Sequence, residues 1–292
     1  MKQRIISGVV MAAVVAMTLL LGLKLNNVII TVFIALVAAV GVWEFTFNAM
    51  GIKWLPLQIV PMLYTSVIVW FISKWLESAL RMRQFFDGSG TVMQLETDKI
   101  YTPVVIAIIT IFYFAIMAII SLVKHNDLNL EKMISMATMP LFIGFAFASL
   151  GSVITATNEI YYLLLILNFS SVCDIGAYFV GVSLGKTKLC PEISPKKTIE
   201  GALGGMVSSM IVGLIITLCF QRFDKILPVL AFTIPLCVAG IAGDLYASII
   251  KRKLGIKDYG NLIPGHGGVL DRVDSILFIA PLVYAFMFIG IL

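Results

Sequence analysis

The sequence has few charged residues for its length, and this shortage excludes an ordinary soluble domain. Charged residues make up 13% of the 292 residues, whereas hydrophobic residues make up 60%. A soluble domain is usually about one-quarter charged and about half apolar. Together with a mean hydropathy of +1.02, the composition indicates a polytopic integral membrane protein.

Histidine and cysteine are too sparse and too scattered for a zinc site or a disulfide framework. The two histidines, His125 and His266, lie far apart, and none of the four cysteines stands in a C-x-x-C pair. Zinc ligands and structural disulfides need closer and more regular spacing. Because Cys173, Cys219 and Cys237 lie in apolar runs, we expect buried free thiols.

Two motifs that define other classes of protein are also missing from the sequence. No G-x-x-x-x-G-K-S/T spacing occurs, which excludes a P-loop nucleotide site. No internal repeat, inverted or parallel, is visible, although many secondary transporters are built from such repeats.

Long apolar runs dominate what is present, and they predict an all-α fold with about nine transmembrane helices. The runs lack the polar alternation that a membrane barrel requires. The first run follows a basic tip but has no small-residue cleavage site, so we expect a helix and not a signal peptide. The predicted spans are residues 5–23, 28–49, 55–73, 101–123, 133–154, 159–182, 203–220, 226–249 and 276–292.

The polar residues are concentrated in the C-terminal half of the chain. We therefore predict an N-terminal scaffold of three helices in 1–100, further membrane helices in 101–158 and a catalytic region in 159–292. The 74–100 segment is polar and predicts a short interfacial helix at 74–86. Placing the N-terminus in the cytoplasm puts the two most basic loops on that side. For Glu44, which lies in the second span, we expect a structural role at a helix contact or interface.

Two aspartates lie within predicted spans, which marks them as functional. An aspartate at the centre of a spanning helix costs about 2.5–3.5 kcal/mol and normally faces a polar cavity. Tyr178 shares one helix face with Asp174, and Ser248 and Lys251 share one with Asp244. A satisfied structural hydrogen bond remains the alternative for each aspartate.

A basic turn follows the sixth span and suits a polyphosphate. Ser194, Lys196, Lys197 and Thr198 supply hydroxyl and ammonium groups just before a helix that opens at Glu200. Hydroxyls, lysines and a helix N-terminus are groups that bind phosphate. The alternative for the two lysines is a cytoplasmic anchor or a contact with acidic lipid.

The loop before the last span supplies carboxylates. Asp271 and Asp274 are three residues apart, and Asp244 ends the preceding span. Carboxylate oxygens with phosphates nearby favour Mg²⁺. The glycine-rich turn at 264–268 lets backbone N–H groups approach an anion, and His266 within it either contacts phosphate or stabilises the turn.

These residues resemble a known family. The stretch S-I-I-K-R-K-L-G-I-K-D-Y-G-N-L-I-P-G-H-G-G-V-L-D-R-V-D, from Ser248 to Asp274, closely resembles the signature of phosphatidate cytidylyltransferases, the CDP-diacylglycerol synthases. The D-x-x-A-Y stretch from Asp174 and the S-P-K-K-T-x-E-G stretch from Ser194 resemble its second conserved block. The resemblance implies the reaction of CTP with phosphatidate to give CDP-diacylglycerol and pyrophosphate.

The resemblance also implies roles for individual acids. Asp244 and Asp271 would be ligands of Mg²⁺, either of one ion or as a bridge to a second cation, divalent or monovalent. Asp274 would be a third ligand or would support the others. Asp174 would be a ligand or would help to orient the lipid phosphate.

The partners and basic residues follow from the same resemblance. Lys251, Arg252 and Arg272 would contact the phosphates of CTP and of the lipid, although either arginine could instead pair with an aspartate. We expect membrane lipid and a second copy of the chain as partners, no nucleic acid, and an active site facing the cytoplasm at the inner membrane. Two other functions remain open: a CTP-dependent lipid or polyprenol kinase, and a secondary transporter with intramembrane acids.

Overall fold

Helices form nearly all the regular structure in this computed structural model, which describes residues 2–86, 101–124, 128–157 and 159–292. The chain forms two units, one of residues 1–158 with 258–272 and one of residues 159–257 with 273–292. His125 and the 87–100 part of the polar segment lie outside the described residues.

The first unit is built from five long helices. Apolar runs fold as helices in a bilayer because every backbone polar group must be satisfied within the segment. The second helix departs from α geometry at its end, where a π-helical segment begins at Glu44 and continues to Ala49 (Glu44–Ala49). The helices are α1 (Lys2–Lys24), α2 (Val28–Trp43), α3 (Leu55–Phe86), α4 (Thr102–Val123) and α5 (Leu130–Thr157).

The core of this unit lies among α2, α3 and α5. Val42, Ile68 and Ile143 are fully buried there, and a Cβ at Gly144 would lie 2.6 Å from Ile68 Cγ2. Such close packing leaves no room for a side chain at position 144.

The third helix is longer than predicted, because the expected interfacial helix at 74–86 continues the third span without a break. Its polar residues pair along one face of α3. Lys74 Nζ lies 3.0 Å from Glu77 Oε2, and Arg81 donates a hydrogen bond of 2.5 Å to Glu77 Oε1. These i, i+3 and i, i+4 pairs let the helix carry charge beyond the apolar run.

The second unit contains the remaining helices and a β-hairpin that the sequence did not predict. The hairpin pairs two short antiparallel strands, with Lys188 opposite Thr198 and Cys190 opposite Ser194. The elements are α6 (Ile160–Leu167), a π-helical turn (Asn168–Val172), α7 (Cys173–Leu184), β1 (Lys188–Cys190), β2 (Ser194–Thr198), α8 (Ile199–Cys219), a 3₁₀ turn (Phe223–Lys225), α9 (Ile226–Lys253) and α11 (Ile276–Phe288). A short helix, α10 (Leu270–Val273), spans the boundary in sequence between the units.

Polar pairs fix the packing inside the second unit. Asn168 donates a hydrogen bond of 2.9 Å to the carbonyl of Ser209, and the Ser209 hydroxyl donates one of 3.2 Å to the carbonyl of Asn168. These two bonds join the π-helical turn to α8, and both residues are buried. Leu236 on α9 and Ile279 on α11 are fully buried in the core of the same unit.

The chain is a multi-pass membrane protein. Among the described residues, eight helices are long and apolar enough to cross a membrane, and Ile276–Phe288 is a shorter apolar helix in the place of the ninth predicted span. The predicted fold class is thereby confirmed. All four cysteines are free, but Cys219 is exposed on α8, where a buried thiol was expected.

Candidate functional site

A cavity of about 570 Å³, with both charged and apolar side chains in its walls, lies within the second unit. Helices α7, α8 and α9 and the hairpin contribute its walls. It unites five predicted site residues, which come from three separate parts of the sequence: Asp174, Lys196, Lys197, Thr198 and Asp244. Apolar side chains, including Val182 and Ile241, line other parts of the cavity.

Close packing between α7 and α8 positions the part of the cavity wall that these two helices form. A Cβ at Gly181 would lie 2.9 Å from Thr198 Oγ1, so only glycine allows the end of α7 to approach the start of α8. Thr198 caps α8, because its hydroxyl accepts a hydrogen bond of 3.1 Å from the N–H of Gly201. Threonine is a favoured N-cap residue. The cap fixes the end of β2 and therefore the position of the backbone of Lys197, whose side chain lines the cavity.

The charged centre of the cavity joins α9 to the hairpin. Lys197 Nζ forms an ion pair with Asp244 Oδ2. Asp174, exposed on α7, interacts electrostatically with both of them. The two aspartates predicted to face a polar cavity therefore face the same one, with a lysine between them.

Asp274 and Lys251 extend this cluster. Lys251 Nζ lies 3.9 Å from Asp274 Oδ2, and the Asp274 side chain is 14% exposed. Burial, together with the negative charge of Asp244, raises the pKa of Asp274 to about 7. The carboxylates thus concentrate negative charge in a place that water screens poorly.

The donor set of the second unit fits a hard divalent cation. Asp244 and Asp274 offer only oxygen atoms, which Mg²⁺ prefers. In the described part of the chain, no three histidine, cysteine, aspartate or glutamate side chains are close enough to hold a metal ion by themselves. A Mg²⁺ ion here would therefore need oxygens from water and from a substrate phosphate as well, as is usual for this ion.

In the first unit, Asp271 is buried and holds its own loop together. Its Oδ2 accepts hydrogen bonds from the N–H of Tyr259, at 2.8 Å, and of Gly268, at 3.0 Å. The N–H of Gly268, which was expected to be available to an anion, is therefore used within the loop. The prediction that Asp271 is a metal ligand together with Asp244 remains a prediction.

Glu44 is a second carboxylate bound to the same loop, and its partner could not be predicted from the sequence. Its Oε1 accepts a hydrogen bond of 3.0 Å from the N–H of Val269, and its Oε2 accepts one of 2.9 Å from the N–H of Leu270. The only signals in the sequence were an acid within a span and a distant loop rich in glycine. A structural role was expected, but not a contact more than 200 residues away.

His266 is held in place by the first helix. Its Nδ1 lies 2.8 Å from the hydroxyl of Ser7, which also lies 3.0 Å from the carbonyl oxygen of Pro264. This geometry is what a turn-stabilising histidine requires. A phosphate contact through His266 remains a prediction.

The other predicted substrate residues are more dispersed. Ser194 begins β2, Ser248 is half-buried on α9, and the side chains of Arg252 and Arg272 are exposed. None of these four is among the residues that line the cavity as the described part of the chain forms it.

Comparisons with known proteins agree on one family. The model of the cytidylyltransferase family matches residues 2–290. The chain is 34% identical to a phosphatidate cytidylyltransferase of Bacillus subtilis (strain 168) over 288 residues, which is 97% of this chain and 96% of the relative. It is 46% identical to a phosphatidate cytidylyltransferase of Staphylococcus haemolyticus over 129 residues, 44% of this chain and 49% of the relative. It is also 41% identical to the uncharacterized protein YnbB of Escherichia coli (strain K12) over 125 residues, 43% of this chain and 42% of the relative.

Proposed function

Because the chain belongs to the cytidylyltransferase family, we propose that it transfers the cytidylyl group of CTP to phosphatidate, giving CDP-diacylglycerol and pyrophosphate. The observation that supports this most is the cavity of the second unit, where the ion pair of Lys197 and Asp244 faces Asp174. Lysines beside carboxylates are suited to phosphates and to the cation that accompanies them.

The reaction balances as one substitution at phosphorus. A phosphate oxygen of phosphatidate attacks the α-phosphorus of CTP, a new P–O bond forms, and the bond from the α-phosphorus to the bridging oxygen breaks. Pyrophosphate leaves with that oxygen and its electron pair. Such transfers depend on positioning and on neutralising charge more than on covalent catalysis.

The residues of the cavity would divide this work between them. Lys197 and Lys196 would bind phosphate oxygens of CTP, and in doing so Lys197 would give up part of its pairing with Asp244. Asp244 and Asp274 would then hold Mg²⁺, with Asp271 as a further ligand predicted from the sequence. Mg²⁺, when bound, would neutralise charge on the phosphates. Asp174 would orient the lipid phosphate or assist the cation.

The position of the reaction at the membrane follows from its two substrates. CTP is soluble and phosphatidate is a bilayer lipid, so a cavity with both charged and apolar walls suits a reaction between them. We place the cavity at the cytoplasmic face of the cell membrane, because the basic hairpin and the basic end of α9 favour that side. A homodimer is a further prediction from the family.

Labelled CTP tests this function. The purified protein would be reconstituted in vesicles containing phosphatidate, with vesicles of phosphatidylcholine alone as the control. We expect label from the α-phosphate of CTP to enter the lipid and label from the γ-phosphate to appear in pyrophosphate. Label from the γ-phosphate in the lipid would show a kinase, and a solute moved across the vesicle without labelling lipid would show a transporter. Either result would contradict the proposal.

A further inference from the structure

Glu44 is a fully buried carboxylate whose two oxygens each bind one backbone N–H group. Its side chain lies in the first unit and is 0% exposed. Oε1 accepts from Val269 and Oε2 from Leu270, at the point where α10 begins. A buried carboxylate is costly unless hydrogen bonds compensate for the water that it loses. The two bonds therefore couple the second helix to the backbone just before Asp271.

Two glycines of the loop leave room for this carboxylate. A Cβ at Gly260 would lie 2.5 Å from Glu44 Oε1, and a Cβ at Gly268 would lie 2.5 Å from Glu44 Oε2. Any side chain at either position would displace Glu44 or the loop. The loop thus encloses the Glu44 carboxylate on both sides. Glycine is needed at both positions because only a residue without a Cβ lets the backbone come so close to the carboxylate.

The backbone beneath Glu44 is itself irregular. Glu44 begins the π-helical segment Glu44–Ala49, which ends the second helix. Single π-helical turns inside α-helices are often found at functional sites, since the extra residue redirects side chains. Within this segment, the hydroxyl of Thr46 donates a hydrogen bond of 3.0 Å to the carbonyl of Val42, one turn earlier in the helix.

Glu77 shows what an ordinary structural acid looks like in the same unit. Glu77 is 7% exposed and pairs with the cationic side chains of Lys74 and Arg81 on its own helix. Glu44 instead binds the backbone of a loop that is distant in sequence. The same loop carries Asp271, whose carboxylate bonds the N–H groups of Tyr259 and Gly268. The N–H groups of Gly268, Val269 and Leu270, which are consecutive in the loop, are therefore divided between two carboxylates.

We propose that Glu44 is a positioning residue, which fixes the backbone at Val269 and Leu270 and thereby holds the Asp271 carboxylate in the orientation used for cation binding. The inference rests on the proposed function and on the ligand role predicted for Asp271. Glu44 itself would touch neither substrate nor cation. Residues that orient a metal ligand commonly change metal affinity or activity by about 10- to 100-fold when they are replaced.

Glu44→Gln is the main test, since it keeps size and shape but replaces one acceptor oxygen with a donor. One of the two N–H groups then faces an NH₂ group, and the loop shifts. We expect the Mg²⁺ concentration for half-maximal cytidylyl transfer to rise roughly tenfold or more, while the KM for CTP at saturating Mg²⁺ changes by less than about threefold.

Glu77→Gln is the matched control, because it removes the charge of another buried acid of the first unit. It should lower the unfolding temperature without changing the Mg²⁺ dependence. If both variants change the Mg²⁺ dependence equally, in proportion to their loss of stability, Glu44 has only a general structural role and the proposal is wrong.

A readout without substrate separates this inference from the proposed function. Hydrogen exchange of the full-length, metal-free protein should be roughly tenfold faster at the amides of Val269 and Leu270 in Glu44→Gln than in the wild type. Mn²⁺ binding, followed by its paramagnetic signal, should weaken in the same variant. Unchanged exchange and unchanged Mn²⁺ binding would overturn the positioning role, even if the wild type transfers the cytidylyl group. If the wild type has no transferase activity but both changes occur, the proposed function fails and the coupling of Glu44 to the loop stands.

A double-mutant cycle tests the contact directly. Gly268→Ala alone should impair Mn²⁺ binding, since its Cβ meets the Glu44 carboxylate. In a Glu44→Asp background the carboxylate is withdrawn by one methylene, so the same alanine should cost less. Additive effects of the two substitutions would contradict a shared contact.

Discussion

In the first unit, Glu44 and Asp271 each accept two backbone N–H bonds, whereas in the second unit Asp244 and Asp274 face the ammonium groups of Lys197 and Lys251. Backbone N–H groups cannot leave without unfolding the loop. A lysine ammonium at the end of a flexible side chain can exchange its carboxylate for a phosphate. Acids of the first kind set the shape of a loop, which in the proposed function also orients Asp271 toward the cation. Acids of the second kind are held by groups that a ligand can displace.

Replacement of an acid of the second kind should have the largest effect on activity. Asp244→Asn keeps the size of the side chain but removes the charge that Lys197 and a cation would share. We expect cytidylyl transfer to fall roughly 100-fold or more, with little loss of stability. The rate of labelled lipid formation measures this, with the exposed Asp224→Asn as the matched control in the same unit. Activity near that of the wild type would remove Asp244 from the site.

Asp271→Asn should reduce both activity and loop order, because this side chain carries two internal bonds. The remaining amide oxygen can still accept a hydrogen bond, so we expect a loss of about 1–3 kcal/mol in the free energy of unfolding. Turnover should fall by more than this loss explains. Thermal unfolding and turnover, measured together, check both parts. Asp258→Asn, on the exposed side of the same loop, should change neither, and turnover retained in Asp271→Asn would leave Asp271 a purely structural acid.

The smallest expected effect is on the pH dependence of stability in metal-free protein. The pKa of Asp274 is raised from 3.8 to about 7 by burial and by Asp244. Between these values the folded protein keeps a proton that the unfolded chain has released, so stability should fall as the pH rises from about 4 to about 7. Asp274→Asn should flatten this part of the profile of unfolding temperature against pH in EDTA. An identical slope in the variant would show that other groups cause it.

The membrane fold could largely be predicted because hydropathy acts locally along the chain. The second span was predicted at 28–49 and is found at Val28–Ala49. The predicted third span ended too early, at residue 73, because the charged residues that follow resemble the end of an apolar run. The helix continues through Lys74, Glu77 and Arg81, because both cations pair with the carboxylate of Glu77.

The candidate site could be predicted only in part, because contacts between distant segments leave little trace in one sequence. Spacing on one helix face related Asp174 to Tyr178, and both line the cavity. The bonds from Glu44 to Val269 and Leu270 join residues that no local pattern relates. The hairpin was taken for a simple turn, because two short polar strands lack the apolar alternation by which strands are recognised.

Binding of CTP to the cavity of the second unit tests the account most directly. Lys197 lines that cavity, whereas Lys186 is an exposed lysine nearby in sequence and is not among its lining residues in the described part of the chain. Equilibrium dialysis of labelled CTP against the purified protein would compare the wild type, Lys197→Ala and Lys186→Ala. The account predicts a Kd roughly tenfold or more weaker in Lys197→Ala alone, as expected for the loss of a charge-assisted bond. Unchanged affinity in Lys197→Ala, or equal losses in both variants, would contradict it.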